Sequence, residues 1–441
     1  RDGRRRRRRR ARGPEATRTR RSKAAAMPIA AVRRARLDVL TRGGHDGSNE
    51  DLVCYAQKNE REAKRAHVGA SERTCAQVHS YKYTSPPSTS FEKLFLERWW
   101  TYVVERWCPL WVAPNALTFG GLMLVMVTYA LYWTHTPVLA HTAPSWMYAV
   151  SAVLMFAYQT ADGIDGKQAR RTKSGSPLGE VVDHGCDAIC TCVYGIIFVD
   201  LLAVGIATPA ARAFAVMMMT SSRIFFAVDT VSSTYTGLLP VNTAFDVQEM
   251  QILLQISMIV FGFVGSDAMN AFTITLPIIG ERGVVRLLVD GGALFGVRSR
   301  AMTFYRTVTA KEVPPHWPKH RNPTRIALFC IVNELFHGVC LYFAPNLALA
   351  HATSMLLFAE AEMSIMRLRV SDPDWPLFNW LSGFIMIMTT FVPAGNMFIG
   401  GILLGAALFL LLHRSATLCA QVTGCLGMHS NIFILPPRKE E

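Results

Sequence analysis

Two pairs of aspartates lie near the middle of this 441-residue chain. Asp162 and Asp165 are three residues apart, and Asp183 and Asp187 are four residues apart. On helices both spacings place the paired side chains on one face, so two helix ends joined by a 17-residue loop could bring four carboxylates together. Carboxylates that close cannot all ionise without a cation. Mg²⁺ takes oxygen ligands and commonly bridges a carboxylate to a substrate phosphate, so the four aspartates are predicted to hold metal for phosphoryl-transfer chemistry.

The residues between the two pairs suit a phosphate ligand. Gly166 and Gly179 remove side chains where a backbone or ligand must approach closely. Arg170 offers a planar fork for phosphate oxygens, and Lys167 a point charge. These four residues are the candidates for substrate binding inside the segment.

A histidine in the same segment is a candidate general base. On a helix that starts near Gly179, residues 180, 183, 184 and 187 fall within about a 100° arc. Glu180 and His184 are four residues apart, so the glutamate could orient the histidine beside the metals. A solvated loop of mixed charge would explain one or two acids here, but not four in paired helical register at span ends, where acids are costly.

The elements that must position these residues are membrane helices. The chain is 51% hydrophobic and only 18% charged, whereas soluble proteins carry about 25% charged residues. Several apolar runs reach the roughly 20 residues that cross a hydrocarbon core, so the fold class is an all-α polytopic membrane protein. Ten spans are predicted, and the sixth is the weakest because four charged residues interrupt it. The spans are residues 115–134, 145–161, 184–205, 209–228, 250–266, 272–297, 325–344, 346–362, 376–393 and 396–413.

The chain divides into four regions by composition. Residues 1–80 form a basic tail predicted to be disordered, and eight of the first ten residues are arginine. Residues 81–112 carry large apolar residues at helical spacing among charges, which is typical of an amphipathic helix at the membrane interface. Residues 113–415 form the transmembrane domain, and residues 416–441 a cytoplasmic tail.

Basic residues predict the orientation. The tail should stay cytoplasmic, and the loop after the second span carries Lys167, Arg170, Arg171 and Lys173 on the same side. The ten cysteines show no zinc-like pairing, and three of them fall in an apolar helical stretch, where cysteine is usually a small hydrophobe. The sequence therefore predicts no disulfide and no structural metal.

The aspartate segment resembles the signature of the CDP-alcohol phosphotransferases, D-x2-D-G-x2-A-R-x8-G-x3-D-x3-D. Its eight fixed positions are matched without departure by Asp162, Asp165, Gly166, Ala169, Arg170, Gly179, Asp183 and Asp187. The surrounding DGKQARRT and SPLGEVVDHGCD are similar to the eukaryotic choline and ethanolamine phosphotransferase branch. Weaker similarity extends over roughly residues 80–430 and includes YKY, PLWVAPNALT, DVQEMQ and AHATS.

This resemblance implies roles for individual residues. Asp162 and Asp183 would bridge two Mg²⁺ ions, with Asp165 on one ion and Asp187 on the other; Mn²⁺ is a possible substitute. Arg170 would contact the phosphates of the donor, and Asn115 in the PN-x-x-T stretch would face the cytidine. His184 is favoured as the general base, with Asp187 as the second choice, because a base must be free to accept a proton.

The resemblance also implies a reaction. Phosphocholine or phosphoethanolamine would pass from CDP-choline or CDP-ethanolamine to diacylglycerol, giving the phospholipid and CMP. The implied setting is a homodimer in the endoplasmic reticulum or Golgi membrane, with its active site facing the cytosol and no nucleic-acid partner. Two alternatives stay open: a CDP-diacylglycerol-dependent transferase with an acceptor such as inositol, whose family is typically shorter with about six spans, and a metal or solute transporter.

Overall fold

The structure is a computed structural model with full side chains. It describes residues 72–81, 88–136, 139, 143–202, 205–237, 246–276, 280–309, 321–372, 375–377 and 379–426. The predicted disordered tail lies outside the described residues as far as residue 71, and so does the predicted C-terminal tail from residue 427 onwards.

The described residues are almost entirely helical, which confirms the predicted fold class. A π-helix, Glu92–Leu96, leads directly into α2. The elements in chain order are α1 (Glu72–Ser80), α2 (Glu97–Arg106), α3 (Pro114–His135), α4 (Ser145–Thr172), α5 (Pro177–Leu201), α6 (Pro209–Thr236), α7 (Val247–Val264), α8 (Ser266–Ala271), β1 (Thr273–Leu276), β2 (Gly280–Gly283), α9 (Val284–Val308), α10 (Pro323–Phe343), α11 (Leu347–Val370), α12 (Trp380–Thr390) and α13 (Met397–Leu426).

Six helices among the described residues are long and apolar enough to cross a membrane: α3, α5, α6, α7, α10 and α13. Helices also occupy the other four predicted span positions, but α12 has only 11 residues, and α4, α9 and α11 fall short in composition. The protein is a polytopic membrane protein, whereas the count of ten spans stays a prediction.

The sixth predicted span begins differently from the prediction. Residues 273–276 and 280–283 form an antiparallel hairpin, with Thr273 opposite Gly283, and α9 starts only at Val284. β-Branched residues in β1 favour an extended strand, and Pro277 follows β1 in the sequence, where it disfavours a continuing helix. The predicted boundaries of this span, 272–297, are therefore wrong.

The N-terminal side of the described chain is tied to the C-terminal helix. Helix α1 lies inside the segment predicted to be disordered, and its Cys75 forms a disulfide with Cys425 of α13. The prediction of no disulfide is wrong, and the predicted tail is wrong for its last nine residues. The two cysteines are 350 residues apart, so no local spacing could pair them. Helix α13 also runs to Leu426, beyond the predicted domain end at residue 415.

Helix α2 is amphipathic, as predicted. Its buried side presents Trp100, Val103 and Val104 to α4, where they pack with Ile164. Tyr102 is exposed on the opposite side, and Trp107, directly after the end of α2, is also exposed. Whether that exposed side lies at the membrane interface stays a prediction.

Helix α11 is the central helix of the described residues, because α5, α6, α12 and α13 all pack against it. Nearly every one of its side chains is buried, including Glu360 and Glu362. These two glutamates have different environments, because a separation of two residues turns them about 200° apart on a helix. Glu360 pairs with Arg414 at 2.5 Å, whereas Glu362 lines a small cavity together with Glu334.

A buried arginine organises the polar residues of α10. Arg223 of α6 is only 1% exposed and pairs with Glu334 at 2.7 Å. The guanidinium also contacts His337 Nδ1 at 2.9 Å and donates to Ser354 Oγ at 2.6 Å. These contacts join α6, α10 and α11, so this polar face of α10 makes helix-pairing contacts.

Candidate functional site

The aspartate pairs lie on two helices joined by a tight turn. Helix α4 continues without a break to Thr172, and α5 begins at Pro177, so the connection is residues 173–176 and not a loop of 17 residues. Lys173 adopts a left-handed conformation with φ 55° and closes α4 through its backbone N–H. The Ser176 hydroxyl accepts a hydrogen bond from the Gly179 backbone N–H and caps α5. Both aspartate pairs are therefore fixed within helices.

Three of the four aspartates meet. Ligand oxygens of Asp162, Asp165 and Asp183 all lie within 4.8 Å of one another, and each residue is partly buried. Within the described part of the chain, Oδ1 of Asp183 is buried without a hydrogen-bond partner. Three carboxylates whose oxygens lie this close, one of them with an unpartnered oxygen, fit a hard divalent cation such as Mg²⁺. The residues present thus match the metal that the sequence predicts.

The fourth aspartate lies one helical turn further along α5. Its Oδ1 accepts a hydrogen bond of 2.6 Å from the hydroxyl of Tyr158 on α4. Asp187 is not in the close group of three, although it follows Asp183 by four residues on the same helix face. Tyr158 therefore fixes one oxygen of Asp187 and leaves the other for a ligand.

Neighbouring helices also hold the aspartates in place. Thr118 of α3 donates a hydrogen bond of 2.5 Å to Asp165 Oδ2. Gln248 of α7 lies near the Asp162 carboxylate, and its side-chain oxygen accepts a hydrogen bond of 2.7 Å from the Gln159 amide. Partners of this kind orient metal-binding carboxylates and are as much part of a metal site as the ligands.

The residues predicted to bind substrate fall into two groups. Asn115 lies at the start of α3, close to Gly179. A Cβ added to Gly179 would lie 3.8 Å from Oδ1 of Asn115. Nη1 of Arg170 is 3.5 Å from the corresponding point on Gly166. These four residues flank the aspartates at the same end of α3, α4 and α5, and the two glycines keep that end open.

Lys167 lies on another side of α4. Its ammonium group donates to Thr101 Oγ1 of α2 at 3.3 Å. Gly163, one turn earlier, packs under the indole of Trp100 so closely that an added Cβ would lie 2.2 Å from a ring atom. Lys167 is therefore part of the contact between α2 and α4 and not of the aspartate cluster.

His184 lies beside the cluster, partly buried, and its ring centroid is 6.4 Å from that of Phe226 on α6. Oε1 of Glu180 pairs at 3.1 Å with Arg369, which comes from α11. Among the described residues, neither Oε2 of Glu180 nor Nδ1 of His184 has a hydrogen-bond partner. Because both atoms are unpartnered, the Glu180 carboxylate makes no hydrogen bond to Nδ1 of His184 in this structure, and both atoms stay open to a further partner.

Sequence reasoning missed several of these supporting residues. Thr118 follows Asn115 by three positions and Tyr158 precedes Asp162 by four, so helical spacing could have indicated both. Gln248 falls in the DVQEMQ string, which was noted only as a similarity. No local signal connects Arg369 to Glu180, because 189 residues separate them.

Comparison with known proteins agrees with this geometry. Residues 111–281 match the family model described as CDP-alcohol phosphatidyltransferase. This segment contains the four aspartates, the two glycines, Arg170 and His184. The similarity of residues 111–281 to this family thus covers every residue of the aspartate motif.

Individual relatives include phosphotransferases named for choline and ethanolamine. The chain is 44% identical over 114 residues to cholinephosphotransferase 1 of Mus musculus, covering 26% of this chain and 28% of that protein. It is 43% identical over 114 residues to choline/ethanolaminephosphotransferase 1 of Arabidopsis thaliana, covering 26% and 29%. An uncharacterised CDP-alcohol phosphatidyltransferase class-I family protein of Dictyostelium discoideum is 42% identical over 135 residues, covering 31% and 33%. The aligned stretches thus span a third or less of these relatives.

Proposed function

We propose that the protein transfers phosphocholine, phosphoethanolamine or both from the CDP-alcohol to diacylglycerol, giving phosphatidylcholine or phosphatidylethanolamine and CMP. The observation that carries the proposal is the group formed by Asp162, Asp165 and Asp183 beside His184, on the two helices of the family motif. The similarity to a cholinephosphotransferase and to a choline/ethanolaminephosphotransferase supports the transfer of these phosphoalcohols over the alternative that uses CDP-diacylglycerol with inositol.

The four aspartates would hold two Mg²⁺ ions, with Mn²⁺ as a possible substitute. When bound, the metal would offset the negative charge of the diphosphate and of the departing CMP. Tyr158 and Thr118 keep Asp187 and Asp165 in place through the hydrogen bonds described above. The substrate-binding residues are Asn115, Gly166, Lys167, Arg170 and Gly179; of these, Lys167 would act only after leaving Thr101.

His184 is the proposed general base. It takes the proton from the diacylglycerol hydroxyl, and the resulting alkoxide oxygen forms a bond to the β-phosphorus of the donor. The bond between that phosphorus and the bridging oxygen breaks, and CMP leaves with the electron pair. Glu180 would orient His184 by turning its unpaired carboxylate oxygen to the imidazole, a contact that these two residues do not make in the structure. Asp187 is the second choice for the base.

The site also fits a membrane-embedded lipid acceptor. The aspartates lie at one end of α3 and α5, both long and apolar enough to span the bilayer, so a water-soluble nucleotide and a lipid could meet there. We place this end on the cytosolic side of the endoplasmic reticulum or Golgi membrane, because basic residues cluster beside it. We also propose a homodimer, and no nucleic-acid partner.

The test is CMP release by the full chain purified in detergent. Release that requires both diacylglycerol and Mg²⁺, and that stops on chelation, supports the proposal. Asp183→Ala should abolish it, whereas Asp200→Asn should not. Asp200 is a buried acid on the same helix that accepts from the Tyr148 hydroxyl at 2.7 Å, 17 residues from Asp183.

The same assay excludes the other functions. A transporter would release no CMP, and a CDP-diacylglycerol-dependent enzyme would need a soluble alcohol in place of diacylglycerol. Turnover retained by Asp183→Ala would refute the mechanism. Competing CDP-choline against CDP-ethanolamine in one reaction then measures the selectivity between the two headgroups.

A further inference from the structure

Helix α11 approaches the candidate site closely although it lies outside residues 111–281. Gly185, next to His184, leaves room for Met363 of α11, because an added Cβ would lie 3.1 Å from both Cγ and Sδ of that methionine. The C-terminal part of α11, including its last turn, lies against the first turns of α5, where Glu180 and His184 are.

Arg369 in that last turn contacts the site directly. Its Nη1 is 3.1 Å from Oε1 of Glu180, and both side chains are only 7% exposed. A buried carboxylate and guanidinium at this distance hold each other firmly, because leaving either one unpaired away from water is costly. The pair fixes one oxygen of Glu180, while the other oxygen stays buried and unpartnered among the described residues.

The arginine is itself held by residues from elsewhere in the fold. Its Nη2 donates to the Gly237 carbonyl oxygen at 3.4 Å, and its guanidinium carbon is 4.9 Å from the ring centroid of Tyr81. The Gln77 side-chain amide donates to the carbonyl oxygens of Leu368 and Arg369 at 2.8 Å each. Helix α1, which is fastened to α13 by the disulfide, thus braces the end of α11.

We propose that Arg369 is a positioning residue that fixes the Glu180 carboxylate so that its free oxygen can orient His184. This inference rests on the proposed function and extends it, since it assigns a part in the active site to the C-terminal half of the chain. Arg369 acts through Glu180 and does not touch the reacting atoms. Its loss should therefore lower kcat and leave the KM for the CDP-alcohol nearly unchanged.

The chain provides a matched control on the same helix. Arg367 is also buried, at 2% exposure, but two residues along a helix turn it by about 200° from Arg369. Its guanidinium stacks on Trp375 at 3.4 Å and hydrogen-bonds with Gln421. Arg367→Gln removes the same charge from the same helix without touching α5.

The experiment is a double-mutant cycle on the full chain in detergent, with CDP-choline, CDP-ethanolamine, diacylglycerol and Mg²⁺. Arg369→Gln should lower kcat by about 10- to 100-fold, as expected for a displaced catalytic geometry, with KM for the CDP-alcohol within about two-fold. In a Glu180→Gln background the same substitution should lower kcat by less than about three-fold, because coupled residues are not additive. Arg367→Gln should keep kcat within about two-fold.

A conservative variant keeps the test decisive if Arg369→Gln does not fold. Arg369→Lys retains the charge but loses the planar fork, so it should lower kcat by about five-fold alone and by less than about two-fold beside Glu180→Gln. Equal losses in the two backgrounds, or a kcat of Arg369→Gln within two-fold of the wild type, would overturn the role of Arg369 alone. A wild-type protein that releases no CMP would instead refute the proposed function and this inference with it.

Discussion

The contact between Gly163 and Trp100 gives the sharpest prediction about how the site is built. Gly163 lies between Asp162 and Asp165 on α4. An added Cβ there would lie 2.2, 2.5 and 2.6 Å from three atoms of the Trp100 indole. Trp100 is only 4% exposed, so the ring cannot turn into open space. Gly163→Ala must therefore push α2 and α4 apart or displace the aspartates.

The magnitude follows from two opposing effects. Replacing glycine by alanine inside a helix ordinarily stabilises it by about 0.5–1 kcal/mol. Overpacking a filled core costs about 1–3 kcal/mol, and a separation of 2.2 Å to a rigid ring belongs at the upper end of that range. The cost of overpacking exceeds the gain in helix stability, so the variant should be less stable than the wild type by about 1–2 kcal/mol. A shift of about 1 Å in the neighbouring carboxylates would also lower CMP release by up to about 100-fold.

The assay compares the melting temperature and CMP release of three purified proteins. Gly163→Ala should melt at a lower temperature and lose activity. Gly175→Ala is the control, because a Cβ on Gly175 has nothing within 4 Å, and it should behave like the wild type. The double variant Gly163→Ala/Trp100→Leu should recover part of the lost activity, since the smaller side chain makes room. Normal melting and activity in Gly163→Ala would refute the argument from close packing.

Three further predictions follow from single contacts. Tyr158→Phe removes the hydroxyl that donates to Asp187. It should raise the Mg²⁺ concentration needed for half-maximal CMP release by about 10- to 100-fold, and an unchanged magnesium titration would contradict this. Glu334→Ala leaves Arg223 buried without its carboxylate and should destabilise the protein by about 3–5 kcal/mol; a melting temperature equal to that of the wild type would exclude a structural role for the pair. Cys75→Ser removes the disulfide, which closes a very long loop, and should destabilise the attachment of α1 by about 2–4 kcal/mol. Limited proteolysis should then cleave near α1 faster than in the wild type, and equal cleavage rates would count against a bracing role.

The spacing of the aspartates could be read without a structure, because it depends on local helix geometry. Residues three or four positions apart share a helix face in any α-helix, so Asp162 and Asp165 were predicted to act together, as were Asp183 and Asp187. The structure brings three of these four within one small group. The predicted loop between the pairs was wrong, because the sequence does not show how far α4 continues before Lys173 ends it.

Composition determined the membrane class for a similar reason. Apolar runs long enough to cross a bilayer are visible residue by residue, and six of the predicted spans meet that requirement as helices. Composition could not show that α11, with its acids and arginines, would be the buried central helix. A helix surrounded by other helices avoids lipid and can carry charges that find partners.

The sequence by itself determined which residues could hold metal and phosphate, and that the chain belongs in a membrane. Only the tertiary structure decided that Lys167 contacts Thr101, that Cys75 pairs with Cys425, and that Arg369 reaches Glu180. Local spacing is fixed by the geometry of a single helix, so residues on that helix keep their relative positions however the helix packs. Contacts between distant segments depend instead on how helices pack, which no short stretch of sequence specifies.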